Sequence, residues 1–174
     1  MQLEGVHHIT AITGDAPRNV EFYVGTMGMR LVKKTVNQDD PTVYHLFYGD
    51  EQGSPGFDLT FFEYPGAAPG RPGDGMIHRI AWRVASEAAL DFWERRLADE
   101  GYASVRGEGT LRFADPEGLE HELEVYAGDE APLLPDAPDV PAEFALQGFA
   151  GARAYASDPA GGASALRELA HFLL

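Results

Sequence analysis

The apolar positions of the first 64 residues change period twice. GVHHITAIT (5–13) is rich in β-formers, and Gly14-Asp15 opens a segment in which Val20, Tyr23 and Met27 recur at helical spacing. After Gly28 come MRLVKKTVN, TVYHLFYGD and FDLTFFEY, three strand-like runs separated by turn-forming stretches at Asp39-Asp40-Pro41 and Gly53-Ser54-Pro55-Gly56. The predicted order is β-α-β-β-β.

A Gly/Pro-rich connector, PGAAPGRPGDG (65–75), precedes a second pass of the same pattern: MIHRIAWRV, then SEAALDFWERRLADEG, then three short β-like runs ending in LEHELEVY. An offset of 70 carries His8 to His78 and Phe22-Tyr23 to Phe92-Trp93. A single offset linking strand and helix fits a duplicated supersecondary module rather than a solenoid of short repeats. The expected fold class is α+β, with two tandem βαβββ modules (1–64 and 75–126) in one domain (1–126), forming a curved mixed sheet around a cleft. Residues 127–144 carry four prolines in an acidic setting and read as an extended linker. Residues 145–174 read as the incomplete start of a further module, loosely packed or docked on the domain.

Composition narrows the chemistry. The 174 residues are 44% hydrophobic, enough to fill a core, and 28 acidic against 13 basic residues give a formal charge of -15, which repels phosphate backbones and anionic lipid. Nucleic acid and membrane partners are therefore not expected. The start, MQLEGVHHIT, lacks a signal-peptide pattern, and a cytoplasmic location is the expectation. With no cysteine, a metal would be held by His, Asp or Glu.

Neighbouring strand residues face opposite sides, so only one of His7 and His8 can look into a given site, and the repeat selects His8 through its match with His78. Glu120, Glu122 and Glu124 alternate along one strand, and one of them is the candidate carboxylate; the same alternation also describes a solvated strand face. Two histidines and a carboxylate make a set that leaves coordination positions open and suits Fe(II), with Mn(II), Ni(II) or Zn(II) as alternatives.

The segments HHITAI, RLVKKTVN with the following DDP, YHLFYGD and FADPEGLEHELEVY make the chain similar, over about residues 5–126, to hydroquinone-type ring-cleaving dioxygenases of the vicinal oxygen chelate superfamily. That resemblance implies a metal glutamate four residues after the glycine of a DPxG turn, which is Glu122 after Gly118; the same place in the first module is Thr60. It therefore implies one metal site on His8, His78 and Glu122. It also sets Arg112 where such enzymes often carry a tyrosine, and there the guanidinium can bind an anionic substrate oxygen. His45 and Tyr44 are the candidates for acid-base work, Trp82 and Phe47 for lining an aromatic pocket, while His121, on the opposite strand face from Glu122, and His171, in the tail, are set aside.

The function expected from the resemblance is an Fe(II)-dependent extradiol-type dioxygenase taking a hydroquinone or catechol-like aromatic and O2, working as a homodimer. A glyoxalase-like or thiol-transferase metalloenzyme and a metal-free aromatic-ligand or antibiotic-binding protein are the competing expectations.

Overall fold

The computed structural model describes residues 5–162. Strand β1 (His8–Thr13) leads into helix α1 (Ala16–Val20), which widens without a break into a π-helical segment, Glu21–Thr26. Asp15 starts the helix by accepting a hydrogen bond from the Arg18 amide at 3.0 Å, and a proline in the first turn takes a place where no amide donor is needed. Strands β2 (Arg30–Val36), β3 (Tyr44–Gly49) and β4 (Asp58–Glu63) complete the first module as a four-stranded sheet in the order β1-β4-β3-β2. The second module repeats it with β5 (Ile77–Val84), α2 (Glu87–Asp99), β6 (Ser104–Gly107), β7 (Thr110–Ala114) and β8 (Glu120–Val125). A last strand, β9 (Phe149–Ala154), pairs antiparallel with β5, giving a five-stranded sheet β6-β7-β8-β5-β9.

The duplication is thus as expected, but each module closes its own sheet instead of contributing to one. One hydrophobic cluster lies between them. It takes Ile9, Leu46, Tyr48, Leu59 and Phe61 from the first sheet and Ile80, Trp82, Val84, Leu111, Phe113 and Leu123 from the second. Tyr23, on the π-helical segment, reaches both sheets, with ring centroids 4.9 Å from Phe61 and 5.7 Å from His121. Strand alternation then fixes the rest: one face of each sheet is committed to the shared core, and the other turns away from it.

The expected linker is irregular in backbone yet well packed. Val140 is buried against the core, Phe144 stacks on Phe92 at 5.1 Å, and Trp93 Nε1 donates to the Phe144 carbonyl at 2.7 Å. Arg96 of α2 donates to the carbonyls of Gly25 and Thr26, satisfying acceptors at the end of the first helix. The tail docks through β9; its final segment, including His171, lies outside the described residues. No helix among the described residues is long and apolar enough to cross a membrane.

Trp82 is fully buried, which corrects its expected place in a substrate pocket: it sits on the core-facing side of β5 with Ile80 and Val84. Its Nε1–H donates to Nδ1 of His121 at 3.0 Å. Indole nitrogen can only donate, so the His121 proton resides on Nε2 and is directed at the Tyr23 hydroxyl, 3.0 Å away. Tyr23 in turn donates to Asp115 Oδ2 at 2.9 Å, so a buried chain of polar groups crosses from one module to the other.

Two outcomes follow for stability. Trp82→Ala is expected to cost about 3–5 kcal/mol, read by urea unfolding, because it opens a large cavity and leaves His121 without its donor. Burial lowers the His121 imidazole from 6.5 to about 3. The unfolded chain therefore binds the extra proton across that window. This contribution is complete above pH 6.5 and falls as pH drops, with a slope of up to about 1.4 kcal/mol per pH unit. Asp115, raised by burial, titrates with the opposite sign. His121→Gln is expected to flatten the decline in stability between pH 6.5 and 5, measured by unfolding midpoints.

Candidate functional site

The outward face of the first sheet follows from its register. Thr10, Thr60, Phe47 and Lys33 form one row across the four strands, Ile12, Phe62, His45 and Thr35 the next, and His8 beside Asp58 begins the row on the other side. Thr60 donates to Thr10 across the sheet at 3.0 Å. His45 is held between Phe62 and Phe47, with ring centroids 3.9 and 4.0 Å away, and its Nε2 has no hydrogen-bond partner. Burial first, and then the charges of Lys33 and His8, hold its imidazole below the ordinary histidine value. The result is a neutral ring nitrogen on an aromatic surface. Of the expected site residues, His8, His45 and Phe47 share this face. Tyr44 does not: it lies on the other side of β3, exposed, with the Lys34 ammonium 3.9 Å from its ring. Phe62 and Lys33 were missed, although Phe62 could have been found two positions beyond Thr60 on an alternating strand.

The outward face of the second sheet has a different character. Glu122 is only 1% exposed. Arg112 Nε donates to it at 2.8 Å, Arg153 Nε of β9 donates at 2.7 Å, and Arg79 Nη1 stands 3.6 Å off. Burial pushes the Glu122 carboxyl up, but the bonds from Arg153 and Arg112 outweigh it and hold the carboxyl below the usual range. Arg79 also donates to Glu120, at 2.7 and 2.9 Å. His78 is 3.6 Å from the same Glu120 carboxylate and stacks on Tyr155 at 4.2 Å. Arg112 therefore belongs to this charged lattice and not to the aromatic face.

The register also revises the repeat. Gly56 and Gly118 share a φ of +94°, a left-handed turn conformation suited to glycine, so Thr60 and Glu122, each four residues on, are equivalent. Their parallel partners are Thr10 and Ala81, an offset of 71. Two residues earlier stand His8 beside Asp58 and Arg79 beside Glu120. The equivalent of His8 is thus Arg79, and His78 matches His7. The helical caps Asp15 and Ser86 obey the same offset. The aromatic pairs that suggested 70 are ambiguous because two adjacent helix positions are apolar in each module.

A metal held jointly by His8, His78 and Glu122 does not fit this arrangement. His8 and Glu122 lie on faces turned away from one core, and each oxygen of Glu122 already accepts a guanidinium hydrogen bond. Among the described residues no group of three or more His, Asp or Glu side chains is placed to hold a metal ion.

Residues 5–123 match the Glyoxalase/Bleomycin resistance protein/Dioxygenase superfamily. The chain is 41% identical over 155 residues to "Putative ring-cleaving dioxygenase MhqA" of Bacillus subtilis, covering 86% of this chain and 49% of that protein. It is 37% identical over 157 residues to the chlorohydroquinone/hydroquinone 1,2-dioxygenase of Sphingobium indicum, covering 85% of this chain and 48% of that enzyme. A crystal structure from Bacillus subtilis superposes with a TM-score of 0.86 at 38% identity, over 97% of this chain and 55% of that one. The chain thus spans about half the length of the curated relatives it matches. Two βαβββ modules, a DPxG turn leading into the last strand of the second, and a family match across both modules establish that this chain belongs to the Glyoxalase/Bleomycin resistance protein/Dioxygenase superfamily.

Proposed function

We propose that the chain contributes the substrate face of a metal-dependent ring-cleaving dioxygenase acting on a hydroquinone or catechol-like aromatic with O2, and that this face is the outward side of the first sheet. The observation that carries the reading is His45: a neutral imidazole between two phenyl rings, its Nε2 without a partner, on the strand face that also bears His8. An aromatic ring laid against Phe47 and Phe62 would be held by apolar contact and stacking. Its hydroxyl can donate to His45 Nε2, and a base kept neutral at pH 7 is able to take that proton. Lys33, with its ammonium 6.0 Å from the Phe47 ring centre, favours the phenolate that results.

Fe(II) is the metal this reading favours, over Mn(II), Ni(II) or Zn(II), and when bound it would bring aromatic diol and O2 together. His8 is the one expected ligand on this face. Donors completing a set around it would come from another chain in a cytoplasmic homodimer, and the edge of β1 supports that arrangement. The outer edge of β5 is paired with β9, whereas β1 ends its sheet, with its own Ile12 and the preceding Val6 exposed.

The test is oxygen uptake with hydroquinones and catechols after anaerobic purification and addition of Fe(II). Uptake is expected, with His8→Ala losing metal by elemental analysis and His45→Gln keeping metal while kcat falls about 100-fold. Iron bound without uptake, or an unaffected His45→Gln enzyme, contradicts the proposal.

A further inference from the structure

We infer that Glu122 is the anchor of an arginine latch that fastens β9 to the second module, and that the outward face of that module is not a metal centre. This goes beyond the dioxygenase reading and does not depend on it.

Three observations converge. The place equivalent to His8 on β5 is taken by Arg79, a residue that stays cationic and offers no lone pair to a metal. Both oxygens of Glu122 are engaged, Oε1 by Arg112 and Oε2 by Arg153, with Arg79 beside Oε2. A metal cation at that carboxylate would have to displace guanidinium groups and stand among three positive charges. The donors also come from three different strands: Arg79 from β5, Arg112 from β7 and Arg153 from β9. Arg153 grips Glu124 as well, so a single β9 side chain spans two carboxylates of β8, across the intervening strand β5.

The latch adds to an irregular strand pairing. The β5–β9 register slips twice, between Ile77 and Arg79 and between Ala81 and Trp82, and only Phe149 of β9 is buried. An irregular edge strand with little apolar anchorage gains a defined position from a buried charge bonded on both oxygens. The duplicated glutamate position has thus been given to assembly: it seats the strand that follows the linker.

The experiment uses the full chain and two readouts that do not involve ring cleavage, so it fails or succeeds separately from the dioxygenase proposal. Amide hydrogen exchange of residues 149–154 is followed by mass spectrometry, and Mn(II) uptake is titrated by calorimetry. Glu122→Gln is expected to speed exchange in β9 by at least about tenfold while β1 to β4 stay as protected as before. Wild type and variant are expected to take up Mn(II) equally. Should Glu122→Gln fail to fold, Arg153→Gln breaks the latch from the other strand and is expected to show the same local loss of protection. Unchanged β9 exchange in the variant that folds overturns the latch, and Mn(II) binding that wild type shows and Glu122→Gln loses overturns the claim that this face is not a metal centre.

Discussion

The shared core is the constraint from which the rest follows. Tyr23 packs on Phe61 of one sheet and on His121 of the other, Phe57 meets Trp82 across the module boundary at 5.3 Å, and the buried residues of both modules form one cluster. Once one face of each sheet is spent on that cluster, the faces carrying His8 and Glu122 must look outward on different sides. The buried polar chain from Trp82 through His121 and Tyr23 to Asp115 reinforces the same packing. Glu117, in the turn before β8, adds to it by accepting from the Gly14 amide at 2.7 Å. Two side chains of the DPxG turn, Asp115 and Glu117, thus serve the module interface.

Given that geometry, the two outward faces have diverged in chemistry. The first offers rings, hydroxyls and two histidines, with one unpartnered nitrogen among them; the second offers alternating arginine and glutamate. Equal positions on the two sheets show the divergence residue by residue, with His8 against Arg79 and Thr60 against Glu122. A buried carboxylate bonded by two half-exposed arginines still keeps one of them when the other is removed, so each bond is worth about 1.5–3 kcal/mol. Such a lattice resists conversion to a ligand-exchanging site. The aromatic face carries no such lattice: His45, Phe47 and Phe62 stack on one another, and Nε2 of His45 has no partner.

Much of the fold was legible in the sequence. Strand alternation and helical spacing placed both βαβββ modules, and the Gly118-to-Glu122 spacing located a buried carboxylate. What alternation could not give was the direction in which each module turns its apolar face, because either side of an isolated sheet can be its inner side. That is why one cleft was expected where two outward faces exist. The offset of 70 misled for a related reason: helices with adjacent apolar residues, Phe22-Tyr23 and Phe92-Trp93, tolerate a one-residue shift that strands do not. The arginines around Glu122 were hidden because Arg112 and Arg153 are far apart in sequence and meet only through β9. His45 was found as a candidate from its run, but its aromatic sandwich depends on Phe62, which lies across a strand pairing.

If one core holds the two sheets back to back, the distance between their outward faces shows it. The chain has no native cysteine, so spin labels on cysteines introduced at Thr10 and Glu120 report on the two outward faces alone. With labelled protein diluted in unlabelled chains, so that only distances within one chain are read, pulsed electron spin resonance is expected to give a single distribution beyond about 20 Å, since each sheet packs on the order of 10 Å from the layer it covers. A separation below about 12 Å would instead place both faces in one cleft, with no shared core between the sheets.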